Sequence, residues 1–305
     1  MNQGVFLNIS RVKIAHIEEA FVKKALFLCA ALSVIVTIGI ITVLLGETID
    51  FFRVVSLGEF FGTATWAPMF EPRQFGIWPL VGGTFLITFG AGLIGIPGGL
   101  GVGMFLNEFA PASVRAIIKP LLEILAGIPT VVYGYFAVTV ITPALQQLLP
   151  DTEIFNAASA AVVVGIMVLP MVASLCDDAL RAVPRSVKEA GYALGATKCE
   201  VAIQVTLPAA LSGVIASFIL ALSRAFGETM AVTLAAGSTP RLTLNPLQSV
   251  QTLTSYIVQV STGDTPQGSI EYKSIFAVGM LLLVVTLLFN MLAYVLVKRF
   301  RSVYE

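Results

Sequence analysis

Long runs of apolar residues, separated by short polar stretches, dominate the hydrophobic pattern of this chain. Residues 25–45 carry no charged side chain, and further charge-free runs extend over 74–107, 124–150, 154–176, 201–223 and 274–297. Crossing the hydrocarbon core of a bilayer takes about 20 apolar residues in a helix. The pattern therefore predicts an all-α, polytopic membrane protein. Its six transmembrane helices are predicted at 25–45, 77–97, 121–143, 155–175, 209–236 and 274–297.

The composition supports a membrane protein and argues against a pair of soluble domains. Of the 305 residues, 57% are hydrophobic and only 12% are charged, and the mean hydropathy is +0.91. Soluble domains carry about 25% charged residues. The three cysteines show no paired spacing, and the single histidine, His16, lies in a polar N-terminal segment. The sequence therefore predicts no disulfide framework, no metal site and no cofactor.

Lysine and arginine residues fall mainly on one side of the predicted spans. Thirteen of them lie on the side of both termini, four lie on the other side, and Arg224 lies within a span. Positively charged loops stay in the cytoplasm, so both termini are predicted to be cytoplasmic. The chain then divides into a cytoplasmic N-terminal segment (1–24), a first transmembrane helix (25–45), an extracytoplasmic loop (46–76), a core of five transmembrane helices (77–297) with a cytoplasmic loop at 177–208, and a cytoplasmic tail (298–305).

Prolines and glycines interrupt several of these spans. Pro97 is predicted to end the second span, Pro170 lies within the fourth, and Gly127-Ile128-Pro129 interrupts the third. Backbone groups freed by such breaks need a neighbouring helix or a water-lined cavity. Each break is therefore either a packing kink or a hinge or pore wall, and Gly127 and Pro129 are the candidate hinge residues.

The predicted cytoplasmic loop contains a short helix of its own. Pro184 and Ser186 are typical of a helix start, and Gly195 is typical of a helix end. A second turn is predicted to begin at Thr197 and to end before Pro208. Helices this short are marginal alone, so the apolar stripe of the first should be buried by another protein or by the underside of the bundle.

The spacing in this loop resembles a motif of ABC-importer permeases. Glu189-Ala190-Gly191, Gly195 and Val205-x-Leu207-Pro208 follow the family's EAA-x3-G-x9-I-x-L-P pattern, with Gly191 in place of the third alanine and Val205 in place of isoleucine. The resemblance implies a coupling helix that docks on a cytoplasmic ATPase. It assigns ATPase coupling to Glu189, Ala190, Gly191 and Gly195.

Three further stretches resemble the PstC family, the permease subunits of phosphate importers. They are "SLGEFFGTATWAPMFEPRQFGIWPLVGGT" (56–84), "LAGIPTVVYGYFAV" (125–138) and "SRAFGETMAV" (223–232). The resemblance implies a type I ABC importer permease fold and alternating access in a bacterial or archaeal cytoplasmic (inner) membrane. It also implies a PstA-like permease partner, two copies of a PstB-like ATPase and a PstS-like phosphate-binding protein. The chain lacks GxxxxGK[ST], so ATP hydrolysis is expected of the partner and no enzyme activity of this chain.

Arg224 and Glu228 are charged residues within the predicted fifth span. Four residues apart on a continuous helix, they would lie about 40° apart around its axis and about 6 Å apart along it, close enough to pair. An arginine at mid-membrane costs about 2.5–3.5 kcal/mol to insert. One interpretation is a structural pair. The other is that Arg224 binds the travelling phosphate while Glu228 holds the arginine in the empty state, with Thr229 as a hydroxyl donor.

Other functions fit parts of this pattern. Within transport, the alternatives are a PstA-type paralogue or a permease for another oxyanion such as molybdate or sulfate. Outside transport, a membrane enzyme acting on lipid phosphates would use Arg224 to bind the head group, but no nucleophile or base cluster lies near that arginine in the sequence. A structural scaffold would leave the intramembrane charges unexplained.

Overall fold

A computed structural model describes residues 3–301, with the side chains of 22–296 and of Lys298. His16 and much of the predicted cytoplasmic tail lie outside the described side chains. The helices are α1 (Gln3–Phe52), α2 (Leu57–Gly62), α3 (Trp78–Met104), α4 (Ala112–Gly127), α5 (Thr130–Phe136), α6 (Thr142–Leu148), α7 (Ala157–Arg181), α8 (Arg185–Ala193), α9 (Lys198–Glu200), α10 (Leu207–Ala209), α11 (Leu211–Phe226), α12 (Met230–Ala236), α13 (Leu253–Thr262) and α14 (Ile270–Arg301). Three π-helical turns join them: Phe105–Phe109, Ala137–Ile141 and Val201–Thr206. Strands β1 (Trp66–Ala67) and β2 (Gln74–Phe75) form a small antiparallel hairpin.

Five helical segments of the described chain are long and apolar enough to cross a bilayer. They are Val22–Phe52, Trp78–Phe109, Thr130–Leu148, Ala157–Arg181 and Ile270–Leu296. A sixth span results if Lys198–Ala209 and Leu211–Phe226, which meet at 75°, are taken together. The all-α fold with up to six spans therefore agrees with the hydrophobic pattern, although several predicted boundaries are wrong. Helix α1 runs on to Phe52 instead of ending at 45, and the bent pair covers 198–226 instead of 209–236.

The second span does not end at Pro97, which lies inside α3. Tight packing against α7 keeps this segment helical. A Cβ added at Gly95 would lie 2.8 Å from the carbonyl oxygen of Gly165, and one added at Gly103 would lie 2.9 Å from that of Ala173. Small residues let two membrane helices approach this closely. Residues later in α3 contact residues later in α7, so the two helices run parallel. They form the centre of the bundle.

The third span begins at Thr130 and not at residue 121, because Ile128 and Pro129 separate two helices. We call these two residues the Pro129 break. Helix α4, which precedes it, contains no fully buried residue, whereas α5 beyond it buries Tyr133 and Gly134. The predicted interruption therefore lies just before the third span and separates α4 from it.

Aromatic side chains hold the hairpin against the ends of α1 and α13. Trp66 contacts the rings of Phe60, Phe75 and Tyr256, and Phe51 contacts the rings of Phe60 and Phe75. The ring centroids of these pairs lie 4.9–6.2 Å apart, in edge-to-face geometry. Such pairs add to the stabilisation that burial provides. The loop predicted at 46–76 is therefore a packed cap at the end of the bundle opposite α8.

A carboxylate ties two connections together at this same end. Glu153 accepts a hydrogen bond from the backbone N–H of Ser249 at 2.7 Å, and Arg241 donates to it at 3.0 Å. These two donors favour the charged form, so they hold the pKa of Glu153 below its ordinary value, with the Ser249 N–H contributing most. The connection before α7 is thereby fastened to the one that follows α12.

Candidate translocation and coupling site

The charged motif of the fifth span lies at a break between two helices. Helix α11 ends at Phe226 and α12 starts at Met230, leaving Gly227, Glu228 and Thr229 between them. We call these three residues the Glu228 break. Because α11 stops before Glu228, the helical geometry that would place this carboxylate one turn beyond Arg224 does not extend to it.

The Glu228 side chain serves the backbone of the next helix. It is only 8% exposed, and one carboxylate oxygen accepts a hydrogen bond from the N–H of Ala231 at 3.3 Å. Its backbone carbonyl accepts from the hydroxyl of Thr254 at 2.8 Å. Helix starts leave N–H groups without intrahelical partners, and the carboxylate satisfies one of them. Glu228 therefore fixes where α12 begins and joins it to α13.

Arg224 is an exposed residue of α11. Nη2 of its guanidinium lies 3.8 Å from the sulfur of Met167 on α7, in a partly buried position. Within the described residues Arg224 makes no ion pair. The predicted Arg224–Glu228 pair is therefore wrong for this conformation, because the helix ends between the two residues and the carboxylate is engaged elsewhere.

Thr229 lies within the Glu228 break and is half-buried. Its hydroxyl donates to the carbonyl of Gly227 at 3.1 Å, and its own carbonyl accepts from the backbone and the hydroxyl of Thr233. Thr229 follows Arg224 closely in the sequence, but its hydroxyl proton is donated to the carbonyl of Gly227. The hydroxyl oxygen keeps lone pairs that can accept a hydrogen bond.

Tyr133 bridges the Pro129 break. Its hydroxyl donates to the carbonyl of Leu125 on α4 at 2.8 Å, across the interruption. The N–H of Ile128 also reaches that carbonyl, at 3.4 Å. These bonds satisfy a backbone group that the interruption frees, which a membrane interior requires. A Cβ added at Gly127 would meet no atom within 4 Å, so packing does not require this glycine, and the bond from Tyr133 links the two sides of the break.

Helix α5 connects the two breaks. A Cβ added at Gly134 would lie 2.8 Å from the Cβ of Leu234 and 3.1 Å from the backbone of Ala231. Ala231 is also the residue whose N–H the Glu228 carboxylate accepts. A shift of α5 would therefore press directly on the start of α12.

The short helix predicted in the cytoplasmic loop is present as α8. Gly195 has a φ of +87°, a conformation that glycine adopts readily, and the helix ends just before it. Gly191 is buried, and an added Cβ there would lie 3.1 Å from a methyl group of Val201. Glu189 and Ala190 are exposed. The small residue of the motif thus faces the chain itself, and the glutamate faces away from it.

The segment after Gly195 differs from the prediction. A capping box of Thr197 and Glu200 starts a helical stretch that continues through Pro208 to Ala209. Pro208 lies inside this stretch, directly after the π-helical turn Val201–Thr206. The second turn therefore does not stop before Pro208.

A group of charged residues at the α8 end was missed by sequence reasoning. Arg115 Nη2 lies 2.5 Å from Asp177 Oδ2, and Lys188 Nζ lies 2.5 Å from Glu108 Oε1. Asn107 links the two pairs, because its carbonyl accepts from Lys188 at 2.9 Å while its amide lies 3.4 Å from Asp177 Oδ1. We call these five residues the ion cluster. Between 62 and 81 residues separate the bonded partners, so no local spacing could reveal them.

Comparisons with known proteins identify the family. The family model of the binding-protein-dependent transport system inner membrane component matches residues 95–302. The probable ABC transporter permease protein YqgH of Bacillus subtilis (strain 168) is 32% identical over 287 residues, covering 93% of this chain and 92% of that protein. The phosphate transport system permease protein PstC of Haemophilus influenzae is 32% identical over 266 residues (80% and 82%), and that of Mesorhizobium japonicum is 30% identical over 260 residues (79% and 78%).

Solved structures share the fold. A chain of the MetNI methionine ABC transporter, inward facing, has a TM-score of 0.56 at 20% identity, covering 76% of this chain and 99% of that one. A chain of a bacterial alginate ABC transporter has a TM-score of 0.64 at 15% identity, covering 90% and 96%. The resemblance to PstC-type permeases and the type I importer fold are thus confirmed. The chain belongs to the inner-membrane components of binding-protein-dependent transport systems, the permease subunits of ABC importers.

Proposed function

We propose that this chain conducts inorganic phosphate as the PstC-type half of an importer. Relatives named PstC at 30–32% identity over about four fifths of the chain support this. The observation that carries the proposal is Arg224: an exposed arginine in an apolar helix, without an ion pair among the described residues, four positions before a carboxylate that the backbone already uses. An arginine within a membrane faces a cavity or a partner, and its forked donors suit phosphate oxygens.

The mechanism we propose is alternating access with the chain's own residues in distinct roles. Arg224 binds the passing anion, and Thr229 and Glu228 shape the start of α12 beside it. Gly127 and Pro129 form the hinge between α4 and α5. Glu189, Ala190, Gly191 and Gly195 couple the chain to a PstB-like ATPase, two copies of which hydrolyse ATP.

The remaining partners and the location follow from the same proposal. A PstA-like permease completes the passage and a PstS-like protein delivers phosphate. The chain lies in the cytoplasmic (inner) membrane with both termini in the cytoplasm, as the uneven distribution of Lys and Arg favours.

The substrate is tested by uptake into vesicles that contain the complex purified through this chain. Radiolabelled phosphate should accumulate on ATP addition, and a hundredfold excess of unlabelled phosphate should abolish the signal while sulfate and molybdate leave it. Accumulation blocked by molybdate or sulfate instead would assign the chain to that other oxyanion.

The route is tested by thiol accessibility at the Glu228 break. In a variant with Cys29 and Cys199 replaced by serine, Thr229→Cys should react with a membrane-impermeant thiol reagent, and phosphate should slow the reaction. No reaction in either the nucleotide-free or the vanadate-trapped complex would show that this break does not face the conduit. Ser33→Cys, on the apolar part of α1, is the matched control and should stay unmodified.

The coupling role is tested by Glu189→Lys. Charge reversal at this exposed position should lower transport-coupled ATP hydrolysis at least tenfold. Asp178→Asn, an exposed carboxylate on α7, should leave that rate unchanged. Intact coupled hydrolysis in the Glu189→Lys complex would refute the assignment.

A further inference from the structure

We propose that the ion cluster is the joint that carries movement of α8 to α4 and, through α4, to the Pro129 break. Its residues are then positioning residues for transport. This inference rests on the proposed coupling role of α8 but not on phosphate being the substrate.

Lys188 fastens α8 to the rest of the bundle. It lies on α8, and its side chain is only 18% exposed because it reaches Glu108 and Asn107 in the turn that follows α3. Glu108 itself is 6% exposed. Charges this far from water interact strongly, and removing one leaves the other buried and unpaired. Helix α8 and the turn Phe105–Phe109 should therefore move together.

The same turn is fastened to α4. Arg115 pairs with Asp177, whose side chain is 2% exposed, and its other terminal nitrogen donates to the carbonyl of Leu106 at 3.4 Å. Asn107 adds its amide to Asp177. Arg181 also approaches Asp177, at 3.4 Å, but from the same helix, α7. The turn is thus bound to α8 on one side and to α4 on the other.

Helix α4 is suited to act as a lever. It contains no fully buried residue, so packing constrains it weakly. Arg115 holds it near its start, and the bond from Tyr133 to Leu125 holds it near its end. A pull on Arg115 therefore reaches the Pro129 break, and α5 beyond it presses on Ala231 at the start of α12.

The alternative is that the cluster only stabilises the fold. The two roles differ in what a variant does to an assembled complex. If the cluster only stabilises the fold, a variant lowers the amount of folded complex. If the cluster is a joint, a variant leaves ATP hydrolysis running without transport. The ratio of anions taken up to ATP hydrolysed separates them.

The experiment measures that ratio in vesicles containing the full complex, with radiolabelled phosphate as the probe. Lys188→Met should retain the ATPase on co-purification and hydrolyse ATP within twofold of wild type, but lower the ratio at least tenfold. Lys119→Met is the control: its half-buried side chain lies one turn from Arg115 without an ion pair among the described charges, and its ratio should equal that of wild type.

A charge exchange keeps the test independent of folding. Lys188→Glu combined with Glu108→Lys restores the direct pair and should recover at least a third of the wild-type ratio, while Glu108→Lys alone should not. A wild-type ratio in assembled Lys188→Met, or an assembled double variant no better than Glu108→Lys, would overturn the joint. If the wild-type complex transports sulfate or molybdate and not phosphate, the proposed substrate fails, and the ratio measured with that anion still tests the joint.

Discussion

At the α8 end of the bundle, Asp177 and Glu108 each lie 2.5 Å from a cationic partner. On α11, just before the Glu228 break, Arg224 is exposed and has no anionic partner in the described part of the chain. Both regions place charge in an apolar molecule. In the first, every charge of the cluster is matched, so the arrangement resists change. In the second, the carboxylate accepts from the N–H of Ala231, and the guanidinium has no ion pair among the described residues. This difference supports the two roles proposed above: a joint for the paired charges and an anion contact for Arg224.

The largest effect is expected for Asp177→Asn, which removes a charge from the ion cluster. The substitution leaves Arg115 beside a neutral amide in a largely buried position, and breaking a buried pair costs about 3 kcal/mol of unfolding free energy. Thermal unfolding of the purified complex should show the loss. Asp178→Asn, an exposed neighbour, should change the unfolding free energy by less than about 0.5 kcal/mol. Equal stability of the two variants would contradict a structural cluster.

Gly134→Ala tests the contact through which α5 reaches α12. The new methyl group would lie 2.8–3.1 Å from Leu234 and Ala231, so backbones must shift, at a cost of about 2 kcal/mol of unfolding free energy. Phosphate uptake should fall with it, since α12 carries the Glu228 cap. Gly101→Ala on α3, where nothing lies within 4 Å, is the matched control. Wild-type uptake by Gly134→Ala would show that the Pro129 break and the Glu228 break are not linked through this contact.

Tyr133→Phe removes one hydrogen bond from the Pro129 break. The Leu125 carbonyl loses its hydroxyl donor, which should cost about 1 kcal/mol of unfolding free energy. Amide hydrogen exchange at 127–132 should speed up, while exchange in α8 stays as in wild type. Unchanged exchange on both sides of the break would show that Tyr133 does not restrain it.

The smallest expected effect concerns Glu153, at the end opposite α8. Because its pKa is lowered in the fold, its stabilisation is present above the unfolded pKa of about 4.5 and is lost as the pH falls through the folded value. Exchange of the Ser249 amide should therefore become less protected below pH 4.5 than the pH dependence of intrinsic exchange explains. Glu153→Gln should remove this extra pH dependence. The same profile in both proteins would exclude the carboxylate as its source.

The sequence predicted what depends on local pattern and missed what depends on long-range contact. The charge-free runs, the interruption at Pro129 and the helix before Gly195 follow from hydrophobicity and from proline and glycine chemistry. The helix end predicted at Pro97 is wrong because the glycines that hold α3 against α7 act through a partner 70 residues away. The predicted Arg224–Glu228 pair is wrong because α11 ends just before Gly227, and a glycine at that point is itself a signal of a helix end.

The exposed Arg224 is tested most directly by the rate of phosphate uptake per assembled complex in Arg224→Gln. Loss of the guanidinium should reduce uptake at least a hundredfold while thermal stability stays within about 0.5 kcal/mol, because the side chain has no ion pair in the described chain to lose. Arg53→Gln, which removes an exposed arginine paired with Asp50 at 2.8 Å, should leave uptake unchanged. Wild-type uptake by Arg224→Gln would contradict the role proposed for this residue.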